Sequence, residues 1–281
     1  MEKIKIVTDS TADLPKSIVE KYDIEVIPLL VNIEENTYKD GVDIFLRELL
    51  DRMDKSEAFP TTSQINPQRF LEYYKKYLNE GYKIVSIHLS SKMSGTYQSA
   101  CIARDMLDTE NIVVIDSLNV TSGLGILVVK AAILKEKGIS IDEIKMEIKN
   151  TIPHAKAALA FEHLDNLVKG GRLSKTAGVI GNILGIRPIL GVVNGEMTVI
   201  DKVRGSRKAA RYIIDYMNQN GIQKGEPMAL LQVENDDVRL QLKEYLCENG
   251  NDFMECEVGC VVGVHAGRGA CGVFFIEEYS S

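Results

Sequence analysis

The residues of this chain best suited to chemistry lie in three short stretches rich in Ser, Thr and Asp. They are Thr8-Asp9-Ser10-Thr11 after the apolar residues 4–7, Thr61-Thr62-Ser63-Gln64 before a predicted helix at Pro67, and Ser90-Ser91-Lys92-Met93-Ser94-Gly95-Thr96 after the strand-like residues 84–89. In open α/β folds such junctions gather at the carboxyl ends of strands, where ligands bind. Hydroxyls and free helix N–H groups can hold a carboxylate or phosphate there. Taken alone, Thr8-Asp9-Ser10 is better explained by helix capping, because Asp and Ser are ordinary cap residues.

Bond-breaking chemistry has less support in the sequence. A serine-type hydrolase that acts on acyl substrates through Ser94 and His265 is the alternative function. A nucleophilic serine, however, usually stands on a G-x-S-x-G turn beside an oriented base, and Met93-Ser94-Gly95 is not that turn. Residues 267–272 spell G-x-G-x-x-G, but a strand-like run follows them where a dinucleotide loop would open a helix. We therefore predict no catalytic residue, no metal and no cofactor.

The same stretches belong to a longer series of motifs that runs through the whole chain. The further members are Asp116-Ser117, Gly170-Gly171-Arg172-Leu173-Ser174-Lys175, Arg187-Pro188-Ile189-Leu190, Arg204-Gly205 and His265-Ala266-Gly267-Arg268-Gly269. In order and spacing the series resembles the DegV family, bacterial proteins that bind a fatty acid. Two positions depart from the family pattern: Ile65-Asn66 stands where Pro-Ser is usual, and Ala266 and Arg268 flank a glycine where Thr and Pro are usual.

The resemblance implies that a long-chain fatty acid, such as palmitate, is the bound ligand. By the same resemblance, its carboxylate is expected at Thr61, Thr62, Ser94, Gly95 and His265, and its acyl chain in a tunnel lined by Phe161, Ile180, Ile183 and Leu184. A buried methylene contributes about 0.8 kcal/mol, so the tail should dominate the affinity. The head group then needs only a few neutral donors to fix its orientation.

The resemblance also implies a role in lipid metabolism, as the carrier subunit of a bacterial fatty acid kinase whose separate ATP-binding subunit phosphorylates the bound carboxylate. Arg172, Arg204 and His265 are expected around the head group, with Asp40 on the opposite lip. Charge that develops on a transferred phosphoryl group needs cations nearby. Because the chain has no P-loop and no kinase signature, we predict a binding protein rather than an enzyme.

The elements that must position these residues form two patterns. In the first half, strand patterns at residues 4–7, 84–89 and 112–115 alternate with helical patterns at 44–53, 67–78, 95–107 and 124–134, which is typical of a parallel sheet. Ser10 is the expected cap of the first helix, and Pro28 favours an edge or bulged strand at 24–31.

The second half is predicted to be α+β. Asn194-Gly195 indicates a hairpin, and strands are expected at residues 157–161, 228–233, 256–264 and 272–276, with His265 at the end of the third. The fold class is therefore α/β with two domains. A Rossmann-like domain at 1–152 has a parallel sheet and flanking helices, and an α+β domain at 153–281 has a mixed sheet and contributes the tunnel and the His265 loop.

Composition narrows the class of protein. The 281 residues carry a net charge of -7, which argues against nucleic acid as the main partner. Neither a signal peptide nor a transmembrane run is visible, so only transient contact with a membrane surface is expected, during lipid exchange. The five cysteines are odd in number and lack a C-x-x-C pair, which favours a reduced, cytoplasmic location.

Overall fold

The computed structural model of the chain describes residues 2–56, 58–174 and 185–279. We number its strands and helices in chain order. The strands are β1 (Ile4–Asp9), β2 (Glu25–Ile27), β3 (Leu30–Ile33), β4 (Asn36–Lys39), β5 (Thr61–Ser63), β6 (Lys83–His88), β7 (Ile112–Asp116), β8 (Ala155–Ala160), β9 (Ile186–Val193), β10 (Glu196–Arg204), β11 (Ala229–Val233), β12 (Met254–Glu257) and β13 (Ala270–Ile276). The helices are α1 (Lys16–Lys21), α2 (Leu46–Lys55), α3 (Pro67–Asn79), α4 (Thr96–Leu107), α5 (Ser122–Glu136), α6 (Ile141–Thr151), α7 (Asp165–Lys169), α8 (Ser206–Asn220), α9 (Asp236–Glu248) and α10 (Cys260–Ala266).

The first half contains a parallel sheet of four strands in the order β2-β1-β6-β7. Its central strand β1 is buried at every position, as expected for a strand covered on both faces. Helix α5 is buried from Ser122 to Ala132 because it contacts β1 and β6 on one side and β8, β11 and β13 on the other. This explains why the helix is apolar all round rather than on one face. The predicted Rossmann-like parallel sheet is confirmed.

The second half contains a mixed sheet of six strands in the order β10-β9-β8-β13-β11-β12. Only the β11–β12 pair is parallel, and the remaining pairs are antiparallel. The β9–β10 hairpin turns at Asn194 and Gly195, whose φ angles of 52° and 85° are those of a tight hairpin turn. The mixed α+β sheet is therefore also confirmed.

A small antiparallel sheet, in the order β4-β3-β5, was not anticipated. Pro28 separates β2 from β3. The apolar run at 24–31 therefore contributes one strand to the parallel sheet and one to the small sheet, instead of forming a single edge strand. In this small sheet Thr62 pairs with Val31. The sheet thereby places the second hydroxyl-rich stretch beside the parallel sheet.

Two local predictions were wrong, and one helix was not predicted. The residue that caps the first turn is Asp9, whose carboxylate accepts from the N–H of Thr11, whereas the Ser10 hydroxyl accepts from the N–H of Leu29. Helix α6 was missed, although Ser140 and Glu143 form a capping box at its start. The predicted strand at residues 256–264 is the short strand β12 followed by helix α10.

The chain passes from the first large sheet to the second between Thr151, the end of α6, and Ala155, the start of β8. A 3₁₀ turn at Ile152–His154 makes this connection. We propose the domain boundary here, after residue 152. Among the described residues, no helix has the length and apolar character needed to cross a lipid bilayer.

Candidate functional site

A cavity of about 180 Å³ lies between the carboxyl ends of the parallel strands and the second sheet. Its polar side comes from the loops after β1, β5, β6 and β7, and its apolar side from β8, β11, β13 and α10. The residues of the polar side include Thr11, Thr62, Ser63, Gln64, Ser94, Gly95 and Thr121. Those of the apolar side include Leu159, Phe161, Leu231, Val233, Val261, Ala266, Ala270 and Cys271. The cavity can hold an apolar chain with one polar end.

Two hydroxyl groups stand at the polar side. The Oγ1 atom of Thr62 lies 3.1 Å from Nε2 of His265. The Oγ atom of Ser94 accepts from the N–H of Thr96 at 3.3 Å and lies 3.0 Å from the Thr96 hydroxyl. Both side chains are half-buried, so each keeps room for a further hydrogen bond to a ligand.

Gly95 packs against the end of β5. A Cβ atom built on it would lie 2.0 Å from Oε1 of Gln64, whose Nε2 donates to the Ser99 hydroxyl at 3.1 Å. A larger residue at position 95 would displace Gln64, which itself lines the cavity. The glycine therefore leaves room for the Gln64 side chain.

His265 is held in its neutral form. It lies near the end of α10, and burial, with a smaller effect of the Arg172 charge, lowers its pKa to about 4. Its Nδ1 atom is buried without a hydrogen-bond partner among the described residues, and a Cβ atom on Gly170 would lie 2.1 Å from it. A histidine with a pKa this low is uncharged at pH 7, so the positive charge near the head group is left to the arginines.

Arg172 does supply a cation to the cavity wall. Its Nε and Nη2 atoms donate to the carbonyl oxygen of Met93 at 3.3 and 3.1 Å, and its Nη1 atom donates to that of Gly170 at 2.6 Å. These bonds tie the loop that carries Ser94 to the loop beside His265. Because its partners are neutral carbonyl groups, the guanidinium keeps its positive charge available to an anion.

Asp40 does not lie on the lip of the cavity. It is 3% exposed, and its Oδ1 atom accepts from the N–H of Cys260 at 2.6 Å. Asp13 accepts from the N–H of Gly259 at 2.7 Å. Two aspartates therefore accept hydrogen bonds from the backbone at the start of α10. These bonds satisfy the free N–H groups of the helix and explain why a valine-rich run forms a helix rather than a strand. Burial raises the pKa of both carboxyl groups.

Two more expected residues lie away from the cavity. The side chain of Thr61 is exposed, and its hydroxyl accepts from Nδ2 of Asn32 at 3.4 Å. Thr61 is not among the residues that line the cavity, whereas Thr62 and Ser63 of the same strand are. Arg204 is exposed at the end of β10, paired in register with Ile186, and does not line the cavity.

Of the four residues expected to line the acyl tunnel, one lies within the described residues. Phe161 is 3% exposed and lines the cavity. Ile180, Ile183 and Leu184 lie outside the described residues. Within residues 2–56, 58–174 and 185–279, no group of three or more His, Cys, Asp or Glu side chains could hold a metal ion.

Comparison with known proteins decides the family. Over residues 3–278 the chain matches the family described as "Uncharacterised protein, DegV family". The chain belongs to the DegV family. A DegV domain-containing protein from Clostridium acetobutylicum is 62% identical over 279 residues, which are 99% of this chain and 100% of the relative.

Solved structures of DegV proteins have the same two-domain fold. A fatty acid-binding DegV family protein from Thermus thermophilus superposes with a TM-score of 0.90 at 28% identity, covering 98% of this chain and 100% of that one. DegV from Bacillus subtilis, a fatty acid-binding protein, has a TM-score of 0.86 at 30% identity, covering 99% and 100%.

A Ser-His-Asp arrangement like that of a serine hydrolase does occur among the described residues, but at a site where a substrate cannot reach it. Ser86 Oγ lies 2.6 Å from Nε2 of His88, whose Nδ1 lies 2.9 Å from Oδ2 of Asp9. All three are fully buried, and Tyr74 donates its hydroxyl to Ser86 at 2.7 Å. Among the described residues, Ser94 has no histidine as a hydrogen-bond partner, so the structure offers no support for the hydrolase alternative.

Sequence reasoning did not assign four polar residues that line the cavity: Thr11, Ser63, Gln64 and Thr121. The Asp9 carboxylate accepts from both the N–H and the hydroxyl of Thr11. Thr121 has a φ of 50°, which is unfavourable for a β-branched residue, and donates its hydroxyl to Asp13 at 2.5 Å. A signal existed for Thr11, which lies within the first hydroxyl-rich stretch, whereas the backbone strain of Thr121 is visible only in the fold.

Proposed function

We propose that this protein binds a long-chain fatty acid, with the carboxylate at Thr62 and Ser94 and the acyl chain in the apolar part of the cavity. The observation that carries the proposal is the pair of half-buried hydroxyls on one side of a mostly apolar cavity. The fatty acid-binding DegV proteins of Thermus thermophilus and Bacillus subtilis, which share the fold, support it.

The hydrogen bonds around Thr62 favour this orientation of the ligand. Because His265 is neutral and its Nδ1 has no partner in the part of the chain that the structure describes, we place the proton of its ring on Nε2, which donates to Oγ1 of Thr62. The Thr62 hydroxyl is then free to donate its own proton to a carboxylate. His265 thus acts on the ligand through Thr62, and the second donor is the Ser94 hydroxyl.

We further infer that the protein presents the carboxylate to a separate ATP-binding fatty acid kinase subunit in the cytoplasm. A carboxylate held by neutral hydroxyls keeps its charge and its nucleophilic oxygen, while Arg172 stands beside it to stabilise a transferred phosphoryl group. Arg204, exposed and outside the cavity, is available for contact with the partner. The five unpaired cysteines support a reducing compartment.

Binding is tested by solvent extraction and mass spectrometry of the purified protein, and by titration of the delipidated protein with palmitate. Loss of one hydrogen bond to a charged group weakens binding by about 1.5–3 kcal/mol, so the Thr62→Ala, Ser94→Ala double variant should bind at least tenfold more weakly. Thr61→Ala, next to the site but facing away from the cavity, is the matched control. Equal affinities of all three proteins would contradict the carboxylate site.

The presenting role has its own test. Arg172→Ala and Arg204→Ala should each retain palmitate but fail to support acyl phosphate formation with a cognate kinase subunit and ATP. The measurement is acyl phosphate formed per bound palmitate. If the variants lose palmitate while this ratio stays normal, the arginines are ligand contacts only and the presenting role is wrong.

A further inference from the structure

Arg268, which departs from the usual DegV pattern, joins the two halves of the chain. Its Nη2 atom lies 2.9 Å from Oδ1 of Asp51 and 3.1 Å from Oδ2 of Asp54, both on α2. Its Nη1 atom pairs with a carboxylate oxygen of Glu234, which follows β11 in the second half. The Arg268 guanidinium therefore forms ion pairs with three carboxylates, two from the first half of the chain and one from the second.

The backbone that carries Arg268 is tightly packed. Gly267 and Gly269 have φ angles of 64° and 83°, and Cβ atoms on them would lie 2.5 Å from Nδ2 of Asn166 and 2.3 Å from Cγ of Glu162. The turn is thus pressed against the loop around α7 on both sides of Arg268. A shift of Arg268 is transmitted directly to the neighbouring end of α10.

Helix α10 itself packs against α2. A Cβ atom on Gly263 would lie 2.6 Å from Cδ1 of Leu46, so the two helices are in close contact. His265, between this contact and Arg268, must keep its Nε2 atom 3.1 Å from the Thr62 hydroxyl. His265 therefore lies on a short segment between the contact of α10 with α2 and the Arg268 turn.

Without Arg268, the three carboxylates would repel one another across this contact. We propose that Arg268 is a positioning residue of the head-group site: by binding carboxylates of both halves it holds the end of α10, and thereby holds His265 against Thr62. This inference rests on the proposed binding of a fatty acid. Because the ion pairs are partly exposed, their strength falls as the salt concentration rises, and ligand release should become faster.

The experiment measures the dissociation rate of palmitate into excess phosphatidylcholine vesicles at low and high salt. Arg268→Ala should release palmitate about three- to tenfold faster than the parent protein at low salt and lose most of the salt dependence. Arg268→Lys, which keeps the charge, should be intermediate. Arg239→Ala is the matched control, because Arg239 also bridges two carboxylates, Asp236 and Glu255, but within the second half only.

A double-mutant cycle separates positioning from a general loss of stability. If Arg268 acts through His265, Arg268→Ala should change the release rate less than twofold in a His265→Ala background. An equal effect in both backgrounds, or a parent-like rate in Arg268→Ala, would overturn the inference while leaving fatty acid binding intact. A parent protein that binds no palmitate would instead refute the proposed function, and this inference with it.

Discussion

The buried, neutral state of His265 predicts a pH dependence of stability that a single substitution removes. Burial lowers the pKa of His265 from its ordinary 6.5 to about 4. Between these values the unfolded chain binds a proton that the folded protein does not, so the free energy of unfolding falls as the pH is lowered. Each pH unit in this interval changes the free energy of unfolding by roughly 1.4 kcal/mol, so the total effect of His265 is up to about 3 kcal/mol.

The assay is urea unfolding of the delipidated protein from pH 4 to pH 7.5. The stability difference between the parent and His265→Gln should grow by up to about 3 kcal/mol between pH 4 and pH 6.5 and then stay constant. The stability of the parent alone cannot be used, because Asp13 and Asp40 also change its pH dependence: burial raises the pKa of both. Their effect is common to the parent and to His265→Gln, so it cancels in the difference between the two proteins. Those two groups stabilise the fold at low pH and lose that contribution as the pH rises through their folded-state pKa.

His163→Gln is the control, since the His163 side chain is exposed. Its stability should follow that of the parent across the whole range. Parallel curves for the parent and His265→Gln would refute the reasoning, because they would show that His265 titrates alike in the folded and unfolded states.

Two further predictions concern the polar groups around the cavity. In a binding titration, Gly95→Ala should weaken palmitate binding about tenfold, because the added methyl group would lie 2.0 Å from Oε1 of Gln64. The double variant Gly95→Ala, Gln64→Ala should recover much of the lost affinity. Asp9→Ala should lower the free energy of unfolding by about 3–5 kcal/mol in urea, because it leaves the N–H groups of Thr11 and Leu89 and Nδ1 of His88 buried without an acceptor. A loss below about 1 kcal/mol would show that water or another group replaces the carboxylate.

Local sequence was sufficient for the elements whose signals lie within a few residues. The alternation of strands and helices predicted the parallel sheet, and Asn194-Gly195 predicted the β9–β10 hairpin. The stretches that carry Thr62 and Ser94 stand out in the sequence as hydroxyl-rich segments, and both residues line the cavity. In each case the relevant interactions are short in range, so the sequence pattern reports them directly.

The tertiary structure alone decided the features that depend on distant partners. Residues 260–266 have a valine-rich pattern suited to a strand, but they form α10 because Asp13 and Asp40, far away in the chain, accept its first N–H groups. The charge state of His265 follows from burial, which no local pattern reveals. Its contact with Thr62 spans 203 residues of sequence, and the three-stranded sheet that delivers Thr62 depends on pairing between separated strands. Propensity acts locally, whereas burial and long-range hydrogen bonds exist only once the chain has folded.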